Sequence, residues 1–166
     1  MTTVTDELMI QADPAQVFVC IWDPRLWPRI TPHVKKVEIL EDGERSQRFA
    51  MTVEADGRDH DVESVREAEP GRWVRYRQTR PPAFLRAHHG QWTLEPVTGG
   101  VRIHLVHEAD IDYERAFSAL GMSSREEAED FVARTLKANG SRTLEAIKLY
   151  LEGTGGPRTS GEVEIP

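Results

Sequence analysis

The chain has 166 residues, which suits one domain able to bury a sizeable core and enclose a cavity. With a net charge of −7 it lacks the basic face that nucleic-acid binding needs. No apolar run approaches the ~18 residues of a membrane span, no charged-then-apolar leader opens the chain, and its single cysteine, Cys20, cannot close an internal disulfide; together these read as a cytoplasmic protein without a membrane partner.

In chain order, residues 3–11 read as a first strand. Asp13-Pro14 opens a short helix, Asp13 as cap and Pro14 in its first turn, with Val17, Phe18, Ile21 and Trp22 on its apolar face. Asp23-Pro24 restarts the chain as a second short helix carrying Leu26, Trp27 and Ile30, stopped by Pro32. A meander follows, with strands predicted at 34–40, 47–55, 60–68, 73–79, 84–95 and 101–111. They are separated by Asp42-Gly43, Asp56-Gly57, Pro70-Gly71, Pro81-Pro82 and Gly99-Gly100. Turn signals this regular favour consecutive antiparallel pairing, giving seven strands with the first.

The last predicted element is the only long helix, opened by a capping box of Ser123 and Glu126 and running to Leu151. One stripe is apolar: Val132, Leu136, Gly140, Leu144, Ile147 and Leu151. The adjoining stripe places Thr135, Asn139 and Thr143 between Phe131 and Ala146, which suits a helix roofing a partly polar cavity better than one on a dry core. The implied fold class is α+β, a curved antiparallel sheet gripping a long C-terminal helix with the binding site between them. Residues 1–152 read as one domain, and 153–166, rich in Gly, Pro, Ser and Thr, as a disordered tail.

Strand alternation selects the candidate site. His107 is in phase with Val101, Ile103 and Leu105, and so faces inward; Arg66 is in phase with Val62 and Ser64. An inward arginine needs a wet cavity or a partner. From the pattern alone Arg66 is either a cavity cation or a strand-end partner for a carboxylate. Ser64 and Asn139 are candidate donors to substrate carbonyls, and Trp92 and Trp27 candidate walls. His104 and His107 point to opposite faces, as do His88 and His89, so no zinc arrangement emerges. No nucleophile elbow, phosphate loop or dinucleotide fingerprint is present. Arg72, Arg75, Arg77, Arg80 and Arg86 form a local basic run in an acidic chain, either a solvated strand face or a landing site for an acidic partner.

These segments resemble the START-like polyketide aromatase/cyclases, the cyclase/dehydrase branch of the helix-grip (Bet v 1-like) superfamily. The similar stretches are DPAQVFVCIWDPRLWPRI, VKKVEILEDG, SVREAEPGRWVRYRQ, HHGQWTLEPVTGGVRIHLVHEADI and ANGSRTLEAIK, in order from the first helix to the last. The resemblance implies a helix-grip fold that binds a poly-β-ketone carried on an acyl carrier protein. It implies a regiospecific aldol cyclisation and dehydration to an aromatic ring, without metal or redox cofactor. The family's cavity arginine falls on Arg66 and its last-strand histidine on His107, while a helix position that is acidic in some relatives falls on Thr143. A histidine near its ordinary pKa can act as base and then acid. An arginine can offer a fixed positive charge and several donors to developing oxyanions. The alternative implied by the same fold is a non-catalytic carrier of a lipid, isoprenoid or other apolar ligand.

Overall fold

The computed structural model describes residues 1–55 and 57–153, so the predicted tail lies, beyond Gly153, outside the described residues. The sheet strands are β1 (Thr2–Ile10), β2 (Val34–Asp42), β3 (Ser46–Ala55), β4 (Arg58–Glu69), β5 (Trp73–Arg80), β6 (Leu85–Val97) and β7 (Gly100–Ile111). The helices are α1 (Pro14–Trp22), α2 (Trp27–Ile30), α3 (Tyr113–Leu120) and α4 (Arg125–Glu152). All seven strands join one antiparallel sheet in the order β1-β7-β6-β5-β4-β3-β2. The meander from β2 to β7 is consecutive, as expected, and β1 closes against β7.

The strand cores match the prediction, and most ends extend by one or two residues where the hairpins stay paired, while β1 stops one residue early at Ile10 and β6 starts one late at Leu85. Three local expectations change. First, the second short helix begins as a 3₁₀ turn over Pro24–Leu26, capped by Asp23, before α2. Second, α3 was not foreseen. Asp112 caps it through the Arg115 N–H, and Gly121 ends it in the left-handed region at φ 69°. Arg58 Nη1 ties it to β4 by donating to the Ala119 carbonyl at 3.0 Å. Third, the cap of α4 sits one residue later: the Ser124 side chain accepts from the Glu127 N–H, and the Glu127 carboxylate accepts from the Ser123 N–H. Glu127 is the residue in capping-box register with the true first turn.

The predicted stripe Val132, Leu136, Gly140, Leu144, Ile147 and Leu151 is buried. Its C-terminal half packs with Ile10, Val17, Ile21, Val74, Trp92, Ile103 and Leu105, and its N-terminal half with Phe84, Leu85, Ala109 and Ile111. α4 is also stitched to β1. Lys137 Nζ donates to the Thr5 carbonyl at 2.7 Å and Lys148 Nζ to the Met9 carbonyl at 2.9 Å, while Glu152 accepts from the Gln11 N–H at 2.8 Å. No described helix is long and apolar enough to cross a membrane.

Candidate active site

Between α4 and the concave sheet lies a cavity of about 140 Å³. Its wall contains Arg66, His107, Ser64, Trp92, Trp27, Asn139 and Thr143, so all seven residues selected from sequence meet in one place. The register explains how. Gln47 on β3 pairs with Arg66 on β4, Arg66 with Tyr76 on β5, Tyr76 with Gly90 on β6, and Gly90 with His107 on β7. A single row across five strands thus carries the cation on β4 and the imidazole on β7. Three strand spacings separate the two backbones, about 14 Å along the sheet.

Arg66 is 4% exposed, and among the described residues no carboxylate forms an ion pair with it, Asp23 acting on its charge only from farther off. Nε donates to Gln47 Oε1 at 2.7 Å, Nη1 to the Ile21 carbonyl at 2.8 Å, and Nη2 to the Trp22 carbonyl and to Gln47. Four of the five donors are therefore spent on the end of α1 and on β3, leaving one Nη1 hydrogen. The expectation of several donors free for substrate is corrected to one donor and a charge. Neither reading of the sequence anticipated this helix-end clamp. The guanidinium lies near the rings of Trp22, Trp27 and Phe49, 4.8 to 5.2 Å from their centroids, whose faces stabilise a cation without a counter-ion. Burial draws its pKa down to about 9, which keeps it charged at neutral pH.

His107 points inward and His104 outward, as the phases require: His104 lies beside Glu7 at 3.3 Å on the convex face. His107 Nδ1 is bonded to the Tyr76 hydroxyl, which also meets His88 Nε2 at 3.1 Å. Burial lowers the pKa of His107 to about 4, against an opposing pull from Asp6, and that of His88 to about 3. Burial also drives the Tyr76 pKa well upward. All three groups are neutral near pH 7.

At the roof, Thr143 Oγ1 donates to the Asn139 carbonyl at 2.9 Å and lies 3.1 Å from His33 Nε2. The hydroxyl proton being committed, Oγ1 accepts from His33, whose buried Nδ1 has no partner. Asn139 accepts from Arg142 and donates weakly to the Glu54 carbonyl at 3.5 Å. Trp27 Nε1 donates to the Cys20 carbonyl at 2.9 Å, and Ser64 is buried opposite Phe49 and Gln78. His60 is set aside from the cavity, edge-on to Phe84 at 5.3 Å.

Sequence reasoning missed Tyr76, His88, His33 and Asp6. The first two lie on inward phases that alternation could have selected. His33 sits in a turn, which has no phase to read.

His33, His88 and His107 also set an acid limit on the fold. Each is held neutral by burial, with folded pKa values of about 4, about 3 and about 4 below an ordinary 6.5. The unfolded chain takes up these protons first as pH falls below 6.5, so stability drops with pH until the folded values are reached. Each histidine forfeits up to about 1.4 kcal/mol per pH unit in that window. Urea midpoints should fall steeply between pH 6.5 and 4 and be nearly flat above 7.

A helix-grip domain with a buried, partly polar cavity is the class this geometry defines. The family described as "Polyketide cyclase / dehydrase and lipid transport" matches residues 1–152. The chain belongs to that family. It is 32% identical over 155 residues to the actinorhodin polyketide synthase bifunctional cyclase/dehydratase of Streptomyces coelicolor, covering 86% of this chain and 47% of the relative. Among solved structures, the di-domain ARO/CYC BexL from the BE-7585A biosynthetic pathway superposes with TM-score 0.83 at 29% identity, over 92% of this chain and 50% of BexL. The Zhui aromatase/cyclase from Streptomyces sp. R1128 shares the fold, with TM-score 0.81 at 22% identity over 90% of this chain and 93% of its own. The chain spans about half the length of the curated relatives it matches.

Proposed function

We propose that this domain is an aromatase/cyclase of aromatic polyketide biosynthesis, acting on a poly-β-ketone tethered to an acyl carrier protein. The observation that carries the reading is the row that carries both Arg66 and His107, aimed into one cavity beside a Tyr–His cluster. A cavity serving only to carry lipid has no use for a buried cation without a counter-ion and for three neutral imidazoles. The volume is of the order that accepts a single benzene ring, which suits folding one ring at a time while the rest of the chain trails outward.

In this reading Arg66 stabilises the enolate or alkoxide oxygen by its charge and its one free donor. His107 manages the proton taken from the acidic methylene and returned during dehydration. Trp27 and Trp92 flatten the chain, and Ser64 and Asn139 donate to its carbonyls; the expected role of Thr143 as a carbonyl donor is corrected to a wall position, because its one proton goes to the Asn139 carbonyl. Of the arginine run, Arg75 and Arg77 occupy the outward phase together with Trp73, Arg75 lying 4.3 Å from the Trp73 ring centroid. Arg80 and Arg86 instead flank the turn whose Pro82 and Phe84 line the cavity. These two are the residues positioned to receive an acidic carrier.

Reconstitution with a minimal polyketide synthase tests the reading. Product profiles should shift from spontaneous shunts to one directed ring; unchanged profiles reject it. In the same assay, Arg80→Glu with Arg86→Glu should lower turnover of carrier-bound substrate about tenfold at low salt and flatten its salt dependence. A small thioester mimic should be turned over as before. Equal effects on both substrates would remove carrier docking from this rim.

A further inference from the structure

The site places a phenol between two imidazoles: His107, in the same row as Tyr76, and His88, two residues along β6 from Gly90. Tyr76 on β5 pairs with Gly90 on β6. A Cβ on Gly90 would meet the Tyr76 hydroxyl at 2.6 Å and its Cε1 at 2.7 Å, so the ring lies across the strand where only glycine leaves room. The hydroxyl consequently reaches His88 Nε2 and His107 Nδ1 together, with ring centroids 5.4 and 5.9 Å away. One hydroxyl has one proton, so it donates to one imidazole and accepts from the other.

Asp6 decides which. Its Oδ1 is held from α4 by Lys137 Nζ at 2.8 Å and Ser141 Oγ at 3.0 Å. Its Oδ2 is buried without a partner, and so is His107 Nε2. Both converge on Gly140, where an added Cβ would stand 2.6 Å from Oδ2 and 3.2 Å from Nε2. A buried carboxylate this near favours the tautomer that turns an N–H toward it, by charge alone and without a direct bond. His107 then carries its proton on Nε2 and its lone pair on Nδ1. Tyr76 donates to that lone pair, and its oxygen accepts from the His88 Nε2–H.

We propose that Tyr76 is the group that exchanges protons with the substrate, relayed to His107, and that Asp6 is the positioning residue that sets the relay's direction. The proposal rests on the aromatase/cyclase reading and deepens it. In ring closure the methylene C–H breaks, its electron pair passes to the enolate oxygen, and its proton goes to the Tyr76 oxygen. The Tyr76 proton moves at the same time to His107 Nδ1, and the imidazolium formed stands against Asp6. The relay runs backward to protonate the alkoxide that results from carbon–carbon bond formation. In dehydration it takes a second proton from the same carbon and delivers one to the hydroxyl, which leaves as water with the C–O electron pair. Tyr76, His107 and His88 end as they began. The charged and titratable groups facing His107 are Asp6 from β1, Tyr76 from β5 and His88 from β6, with Lys137 of α4 behind Asp6.

Two arms test this. In the first, nitrogen-15 NMR of histidine-labelled wild-type protein without substrate should show His107 protonated on Nε2, with Nδ1 accepting a hydrogen bond. Tyr76→Phe should remove that bond, and Asp6→Asn should turn the single tautomer into a mixture. His107 protonated on Nδ1 in the wild type overturns the relay, whatever the protein acts on. In the second, Tyr76→Phe should lower directed ring closure at least 100-fold in the reconstituted system, while an aromatic product analogue binds within threefold of wild type. Asp6→Asn should lower the rate about tenfold and move the acid limb of the pH profile to lower pH, because Asp6 is what raises the basicity of His107. Wild-type activity with Tyr76→Phe unimpaired overturns the relay and leaves the aromatase/cyclase reading standing. An inactive wild type rejects that reading, and the first arm still judges the relay.

Discussion

His107→Ala should lose at least 100-fold of directed cyclisation and dehydration, the range that general acid–base catalysis contributes. His104→Ala, three residues away on the same strand, should remain within a factor of two of wild type. The contrast is informative because both variants delete an imidazole from β7. His107 faces the cavity and bonds Tyr76, whereas His104 pairs with Glu7 and Glu95 on the convex face. Product profiles and binding of an aromatic product analogue check the pair. Equal losses would point to a folding effect, and an unimpaired His107→Ala would remove the imidazole from the chemistry.

Arg66→Ala should be inactive and also less stable. The Gln47 amide and the Ile21 and Trp22 carbonyls would each lose a donor in a buried setting, at about 1–3 kcal/mol apiece before relaxation. Arg66→Lys keeps the charge but not the fork, so it should recover part of the activity and little of the stability. Urea denaturation and product analysis on the same samples separate the two. A folded Arg66→Ala protein with normal products would reduce Arg66 to a clamp on α1.

The sheet was legible because both of its signals are local. Period-two alternation sets each strand, and a Gly or Pro turn ends it. The long helix was legible from its stripe. α3 was not, since its one buried residue, Ala116, leaves no apolar stripe to read, although Asp112 and Gly121 mark both ends. In the site, phase alone turned Arg66 and His107 inward. What phase cannot provide is the row. The β4–β5 ladder shifts register between Glu63 and Ser64, and the β6–β7 ladder between Leu85 and Ala87. Each irregularity inserts a residue, so alternation on one side of it no longer gives the face on the other: Leu85 and His88, three apart on β6, both line the cavity. Neither Tyr76 nor Gly90 carries a signal by itself, and only their pairing makes them a device. The clamp on Arg66 was hidden for a related reason: two of its acceptors, on Ile21 and Trp22, are backbone carbonyls with no side-chain signature, and the third, Gln47, is placed opposite it only by the β3–β4 register.

The stitching of α4 to β1 has a bearing on how the chain is made. Within this domain β1 is made before its partner β7, which follows about a hundred residues later, and the lysines that grip Thr5 and Met9 come later still. Closing so long a loop is entropically slow, and an unpaired strand is a template for the wrong neighbour until it closes. The first strand of the domain to be made therefore cannot pair until the last one is, while β2 to β7 each find a neighbour at once. Asp6, unpaired in the nascent chain, keeps a carboxylate on that waiting edge, and the same charge that later faces His107 discourages edge-to-edge association meanwhile.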